Sequence, residues 1–231
     1  MCLGRAPRVP VLRIRTQASQ QLAHPDFLDI SVQNYYDCLV ARPKEFDRDT
    51  ALQEAVDLFC NHGYEGTSTD DLLQAMRISR QSLYDTFGDK RQLYLEALQQ
   101  YVANSIAEQV RALNSTTSVL TGLEAALLAF ASKSGTPEAP GCMGIGATCE
   151  FGVSDRDVTA LIATADKTLQ SSLERRIREA KASGEVSSEV SPRAAAQFIK
   201  ATFAGIKIAA RGGASAATLR EIAQMAIRSL K

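Results

Sequence analysis

The sequence predicts an all-α protein, and three observations support this fold class. Apolar residues recur at helical spacing from Asp47 to the C-terminus. No segment alternates apolar and polar residues in the way that a half-buried strand does. With 231 residues, of which 45% are hydrophobic, the chain is long enough to bury a core without disulfides or metals. We therefore expect a three-helix unit over residues 45–105, followed by a larger helical unit over residues 106–231.

Residues 1–44 differ from the rest, because prolines, scattered arginines and polar residues follow one another without a sustained helical period. Two interpretations of this segment are open. It is a disordered tail, or translation begins at Val40, since a valine codon can serve as an initiator. The second interpretation makes Val40–Lys44 a short basic N-terminal arm. In both cases we predict no fold for residues 1–44.

The first predicted helix begins at Asp47 and ends at Gly63, because glycine commonly terminates helices. Ser68, with Asp71 three residues later, resembles a capping box, so a second helix is expected to start there. The apolar stripe of the first helix has the spacing i, i+3, i+4 and i+7 and consists of Leu52, Ala55, Val56 and Phe59.

A two-residue turn, Arg77-Ile78, separates the second helix from a third. Ser79 is expected to cap the third helix at its N-terminus and Gly88 to end it. Leu83 and Phe87 then face inward. A short helix, a tight turn and a second short helix, braced by a preceding helix, form the helix-turn-helix arrangement.

Every later segment except one is also predicted to be helical. The exception is the Gly-rich, apolar segment 141–152, whose secondary structure the pattern leaves open. A fourth helix of about two dozen residues should start at Asp89-Lys90. The expected helices after it are Leu120–Ser134, Ser154–Ala182, a helix from Pro192 to the Gly212-Gly213 pair, and a last helix with apolar residues from Leu219 to Leu230.

The charge balance limits the classes of partner. Lys and Arg total 26, Asp and Glu total 26, and the formal net charge is therefore zero. Such a chain is neither wrapped wholesale around nucleic acid nor a polybasic membrane binder, and no apolar run approaches the roughly 20 residues that span a bilayer. A small, locally placed DNA-reading surface remains compatible with this balance.

The cysteines give no sign of a metal or cofactor site. Cys2, Cys38, Cys60, Cys142 and Cys149 match no zinc-binding spacing, and the CxxC motif is absent. We therefore predict no metal and no cofactor. Because no secretory signal pattern is present, we expect the reducing cytoplasm and free thiols.

The helix-turn-helix arrangement predicts a DNA-reading surface on the third helix. The second helix of this motif lies in the major groove, where Arg can pair with guanine and Gln with adenine. Thr67 and Ser68 lie at the N-terminus of the supporting helix, which favours a phosphate, and Lys90 is placed for a phosphate on the other side. The exposed positions of the third helix are Arg80, Gln81, Ser82, Tyr84, Asp85 and Thr86.

Each of these residues also has a purely structural interpretation. Ser68 and Ser79 could only cap helices, Tyr84 could be half-buried packing, and Arg80 could be a solvated surface charge. Residues 42–96 contain seven basic and eleven acidic residues. Phosphate attraction must therefore come from the placement of the basic groups and not from their total.

The order of the whole block resembles the DNA-binding domain of the TetR family of bacterial regulators. The resemblance covers about 50 residues and is most specific from Ser79 to Lys90. The residues that carry it are Ala51-Leu52, Leu58-Phe59, Gly63-Tyr64, Thr67–Leu72, Ile78–Arg80, Leu83–Phe87, Lys90 and Leu93.

The resemblance implies a homodimer on a palindromic double-stranded operator and, usually, repression that a small ligand relieves. In that family a glycine is frequent at the position of Gln81, so the operator sequence does not transfer to this chain. The positions that the resemblance places on DNA are Thr67, Ser68, Gln81, Ser82, Tyr84 and Lys90.

The last two helices predict a dimer interface, because their apolar stripes are accompanied by small residues on a neighbouring face. These small residues are Ala201, Ala204, Gly205 and Ala209. Two such helices from each of two chains would form a two-fold four-helix interface, which matches the symmetry of a palindrome. The alternative is a fully buried helix pair inside a monomer.

The segment 141–152 is the predicted effector site, because its glycines permit close backbone approach. The residues expected to line an apolar cavity are Phe130, Cys142, Met143, Cys149 and Phe151. We expect a ligand there to shift the long fourth helix and so to change the separation of the two recognition helices.

An alternative function uses Cys142 as a redox or electrophile sensor, or as the nucleophile of a thiol-dependent enzyme. The enzyme class is disfavoured. The chain has two histidines, His24 and His62, and no P-loop, GxGxxG or HExxH motif. We therefore predict that the protein is not an enzyme.

Overall fold

The computed structural model describes residues 46–134 and 141–231, and these residues form nine helices and no strand. The prediction of an all-α fold is confirmed. The predictions for residues 1–44 fall outside the described residues. The helices are α1 (Arg48–His62), α2 (Thr69–Met76), α3 (Arg80–Phe87), α4 (Lys90–Leu113), α5 (Val119–Ser134), α6 (Met143–Phe151), α7 (Arg156–Ala182), α8 (Pro192–Arg211) and α9 (Ala216–Arg228).

Short polar side chains fix the start of most of these helices, as the sequence predicts. Asp47 caps α1 and Asp89 caps α4, each by accepting a hydrogen bond from a backbone N–H in the first turn. Ser68 and Asp71 form a reciprocal capping box at α2. Gly63 ends α1 with a φ of 73°, a left-handed conformation that favours glycine.

The Gly-rich segment folds as helix α6, which the pattern did not indicate. Glycine disfavours a helix interior by about 1 kcal/mol relative to alanine, and α6 contains two glycines. Met143 and Ala147, four residues apart, are buried, and Phe151 continues the same face. Burial of this face therefore outweighs the weak intrinsic helix propensity.

Two apolar clusters form the core. The first, which we call the N-terminal cluster, joins α1, α2, α3 and the first half of α4 to α6 and the start of α7. The second joins the end of α4 to α5, α7, α8 and α9. The 24 residues of α4, about 36 Å long, contribute to both clusters. The predicted boundary at residue 105 thus falls inside a continuous helix. No helix within 46–134 and 141–231 is long and apolar enough to cross a bilayer.

Candidate nucleic-acid interface and ligand cavity

The turn between α2 and α3 has the tight geometry that the sequence predicts. Arg77 adopts the left-handed conformation with a φ of 54°, and the Ile78 N–H donates to the Leu73 carbonyl at 3.2 Å. Helix α3 buries Leu83 and Phe87 against the N-terminal cluster. Its opposite face is consequently presented to solvent.

The predicted reading residues of α3 lie on this open face, and several of them pair with neighbouring side chains of the same chain. Arg80 and Gln81 are exposed and bind Asp70 at 2.6 Å and Asp85 at 2.7 Å. Tyr84 is 49% exposed. Ser82 and Thr86 are half-buried, and the Ser82 hydroxyl lies 2.8 Å from that of Ser79. Exposed pairs of this kind are worth less than about 1 kcal/mol, so DNA groups can replace them.

The predicted phosphate-contact residues have three different environments. Ser68 is exposed, but its hydroxyl is engaged in the capping box, whose hydrogen bonds hold the pKa of the Asp71 carboxyl below its ordinary value. The Lys90 ammonium lies 4.1 Å from the centre of the Tyr64 ring, at the edge of the same surface. Thr67 is 1% exposed and donates its hydroxyl to the Gly63 carbonyl at 2.7 Å. The Thr67 side chain therefore lies inside the α1–α2 loop, and its contact with a phosphate stays a prediction.

Sequence reasoning missed Glu150, which fastens α6 to the helix-turn-helix unit. Its carboxylate accepts hydrogen bonds from the backbone N–H groups of Tyr64 and Glu65 at 2.9 and 3.3 Å. A side chain at Gly63 would collide with this carboxylate, which is a second reason for glycine there. One feature of the sequence could have indicated this role, because Glu150 is the only charged residue in the apolar segment 141–152.

Aromatic packing and an ion-pair cluster extend this junction. The Phe151 ring packs against Tyr64 and Tyr94, with ring centres 5.5 and 5.6 Å apart. Arg91, in the first turn of α4, binds Asp155 with two hydrogen bonds of 2.7 and 3.0 Å and Asp157 with one of 2.9 Å. The Arg91 guanidinium holds the pKa of the Asp155 carboxyl below its ordinary value. The helix-turn-helix unit is thus joined to α6 and to the start of α7.

A cavity of about 460 Å³ lies among α4, α5, α6, α7 and α8, and we call it the α4–α8 cavity. Its walls are mainly apolar, and five helices contribute to them. The polar groups that reach it include Gln109, Asp166, Lys200 and Lys207. The apolar residues that define it include Tyr101, Ile106, Phe130, Ile145, Ile162, Leu169 and Phe203.

The five predicted ligand residues do not all line the same cavity. Phe130 and Cys142 line the α4–α8 cavity. Met143 and Phe151 do not, because the helical period of α6 turns them into the N-terminal cluster, and Met143 is 2% exposed. Cys149 is exposed and lies on a different groove, between α6 and the ends of α1 and α8. The prediction that these last three residues line the cavity is wrong, since the segment is helical and presents different faces.

The three described cysteines are free, and each has a distinct environment. Cys60 in α1 is buried, and this burial raises the pKa of its thiol to about 12. Cys142 is half-buried at the start of α6, and its side chain makes no capping hydrogen bond. Burial and the neighbouring Cys142 sulfur raise the pKa of the Tyr101 hydroxyl. Within the described residues, no group of three His, Cys, Asp or Glu side chains could hold a metal ion.

Helix α8 presents an apolar stripe to solvent. The stripe has alternating spacings of four and three residues, and its members are exposed: Ala194, Phe198, Ala201, Gly205 and Ile208. Phe198 is 47% and Ile208 58% exposed, and Met225 on α9 is 66% exposed. Of the small residues predicted at an interface, Ala201 and Gly205 belong to this stripe. Ala204 and Ala209 are half-buried.

Comparisons with known proteins agree with this architecture. Residues 51–97 match the family described as "Bacterial regulatory proteins, tetR family", and residues 117–226 match "Tetracyclin repressor-like, C-terminal domain". The HTH-type transcriptional repressor ComR of Escherichia coli K12 is 30% identical over 191 residues, which are 81% of this chain and 90% of ComR. The HTH-type regulator YezE of Bacillus subtilis 168 is 33% identical over 65% of this chain and 78% of YezE.

A solved structure of the TetR family transcriptional regulator CifR, a cysteine-substituted form bound to a 26-base-pair operator duplex, superimposes with a TM-score of 0.73. It is 28% identical to this chain, and the match covers 82% of this chain and all of that one.

Proposed function

The chain belongs to the TetR family of DNA-binding transcriptional regulators, and from this membership we propose that it is a homodimeric repressor in the cytoplasm. It binds a palindromic operator through α3 and releases it when a small molecule occupies the α4–α8 cavity. The observation that carries the proposal is the open polar face of α3, held by the buried Leu83 and Phe87. ComR carries the name of a repressor, and the CifR structure contains operator DNA.

The exposed side chains of α3 divide into two kinds of contact. Gln81 can pair with an adenine edge and Arg80 with a guanine edge once Asp70 is displaced. The hydroxyls of Ser82, Thr86 and Tyr84 are suited to phosphates or bases. Ser68 can donate to a phosphate only when its hydroxyl leaves Asp71. Lys90 supplies a positive charge for a phosphate beside the groove.

The apolar stripe of α8, together with Met225, is the proposed dimer face. Exposed Phe198 and Ile208 would be buried there, and Gly205 has nothing within 4 Å of the position that a side chain would occupy. Small residues allow two helices to approach closely. A two-fold axis through this face gives two recognition helices, as a palindromic operator requires.

Two helices connect the cavity to the DNA surface. Helix α4 lines the cavity with Tyr101, Ile106 and Gln109, and its first turn carries Lys90. Helix α6 lines it with Cys142 and Ile145, and its last turn holds the α1–α2 loop through Glu150. A ligand that moves either helix therefore changes the placement of α3 in both protomers, and half-sites about 34–36 Å apart are then no longer matched.

A gel-shift series across salt concentrations tests the proposal. A regulator keeps its preference for the operator over unrelated DNA while both affinities fall as salt rises. Equal affinity for all duplexes at every salt concentration would contradict operator recognition. Sedimentation that shows a monomer at micromolar concentration would contradict the dimer.

Cys142 supports a second candidate, a redox-responsive form of the same regulator. Its half-buried sulfur lines the cavity at the start of α6, and α6 reaches the DNA-binding unit through Glu150. If oxidants release the operator through this thiol, Cys142→Ser abolishes the response and Cys149→Ser on the same helix leaves it intact. The relatives are regulators, so the comparisons support the prediction that the chain is not an enzyme.

A further inference from the structure

Lys207 places a positive charge at the α4–α8 cavity that no carboxylate of the described residues neutralises. Among residues 46–134 and 141–231 no carboxylate lies within 4 Å of its ammonium group. The other charges that line the cavity cancel, because Lys200 binds Asp166 at 2.6 Å. A cation without a neighbouring carboxylate, beside mainly apolar walls, favours an anionic ligand.

A pair of aromatic rings lies next to the charged group of Lys207. The Lys207 ammonium lies 5.3 Å from the centre of the Phe130 ring, and Phe130 meets Phe203 edge to face at 5.0 Å. These two rings also form one wall of the cavity. The arrangement therefore places a positive charge beside a flat apolar surface, which suits a ligand with an aromatic or aliphatic body next to its anionic group.

Gln109 adds a hydrogen-bond requirement. Its Nε2 donates to the Ser105 hydroxyl at 3.2 Å, whereas its Oε1 is buried and has no donor among the described residues. A buried acceptor without a partner is unfavourable. Gln109 lines the same cavity as Lys207, so a rotation of its side-chain amide would bring Oε1 to an N–H or O–H group of a ligand there.

We infer that the effector is an apolar organic anion with a hydrogen-bond donor, which places its charge on Lys207 and its donor on Gln109. This inference rests on the proposed function of the α4–α8 cavity as the effector site. It narrows the chemical class of the effector, since a neutral ligand leaves Lys207 without a counter-charge and a cationic ligand is repelled.

A matched pair of fluorescent probes tests the inference on the full chain. 8-Anilinonaphthalene-1-sulfonate carries an apolar body, an N–H donor and a negative charge. N-Phenyl-1-naphthylamine has the same skeleton and N–H group without the charge. We expect Lys207→Met to weaken binding of the sulfonate by about tenfold or more and to change binding of the neutral probe by less than about twofold.

Lys167→Met is the matched control, because Lys167 is an exposed residue of α7 outside the cavity and its loss changes the net charge equally. Gln109→Leu should weaken both probes by a similar factor. Unchanged sulfonate binding in Lys207→Met, or an equal loss in Lys167→Met, would overturn the anion site. Tighter binding of both probes to Gln109→Leu would show that Gln109 does not accept a hydrogen bond from the ligand.

Operator release, followed by fluorescence anisotropy of labelled DNA, separates the two proposals. If the sulfonate binds through Lys207 but never releases operator, the cavity is not the effector site. If the sulfonate releases operator equally well from wild type and from Lys207→Met, the effector function stands and the anion site is wrong.

Discussion

The α3 side chains that face solvent are bound to neighbours of their own chain in the DNA-free protein. Arg80 is held by Asp70 and Gln81 by Asp85, and all four residues are exposed. Such contacts are weak in water and orient the side chains without burying them. On the proposed function, operator binding would exchange these intramolecular hydrogen bonds for base contacts at little cost in free energy.

Gln81 and Lys90 should differ in the effect of substitution. We expect Gln81→Ala to weaken operator binding by about 1–3 kcal/mol and to relax the preference at one base pair, because a bidentate base contact is lost. Lys90→Met should weaken operator and unrelated DNA alike and lower the salt slope by about 1. Anisotropy titrations at several salt concentrations measure both. A salt slope that changes for Gln81→Ala but not for Lys90→Met would contradict these assignments.

Asp70→Asn should tighten DNA binding severalfold at low salt. The substitution removes a negative charge beside the phosphates and frees the Arg80 guanidinium, and the effect should shrink once the Debye length falls below about 10 Å. Glu221→Gln is the control, because it changes the net charge equally at an exposed residue of α9, outside the helix-turn-helix unit. Weaker binding of Asp70→Asn would show instead that Asp70 orients Arg80 for its base contact.

At the level of elements, α6 is the part of the fold that sequence patterns could not supply. Its two glycines lower its intrinsic helix propensity, and its helical state depends on burial of Met143 and Ala147 against helices distant in sequence. The caps at Asp47, Ser68 and Ser79 were predictable because capping is local. The burial of Thr67 could not be predicted in this way, since the packed α1–α2 loop determines that its side chain turns inward.

Two glycines of this region should respond oppositely to alanine. A side chain at Gly141 would overlap the Cys60 carbonyl, so Gly141→Ala should lower the free energy of unfolding by about 1–3 kcal/mol. Gly146, inside α6, has nothing within 4 Å of the added carbon, so Gly146→Ala should raise it by about 0.5–1 kcal/mol. Urea denaturation measures both values. Equal changes in the free energy of unfolding at the two positions would contradict the packing of the start of α6 against α1.

At the scale of the whole molecule, α4 joins the two apolar clusters, and α6 makes a second connection to the helix-turn-helix unit. Helix α4 belongs to both clusters, and the Arg91 ion pairs and Glu150 hydrogen bonds fasten the helix-turn-helix unit at two separate points. A ligand in the α4–α8 cavity, which both helices line, could therefore shift α3 through α4 or through α6.

Phe198→Asp should abolish the dimer and, with it, high-affinity operator binding. The charge would lie in the middle of the exposed α8 stripe, where burial against a partner leaves it unpaired. Val153→Asp, at a residue that is 91% exposed in the α6–α7 turn, is the control and should leave the dimer intact. Analytical ultracentrifugation measures the change. A Phe198→Asp protein that remains dimeric would place the interface elsewhere.

Selection of bound duplexes from a random-sequence DNA library asks whether two α3 helices read DNA together. We expect enrichment of one sequence with two inverted half-sites whose centres lie about 34–36 Å apart, or a multiple of that spacing. We also expect Gln81→Ala to lose the preference at one position of each half-site. Recovery of no common sequence, or of a single half-site without its inverted copy, would contradict joint reading by two α3 helices.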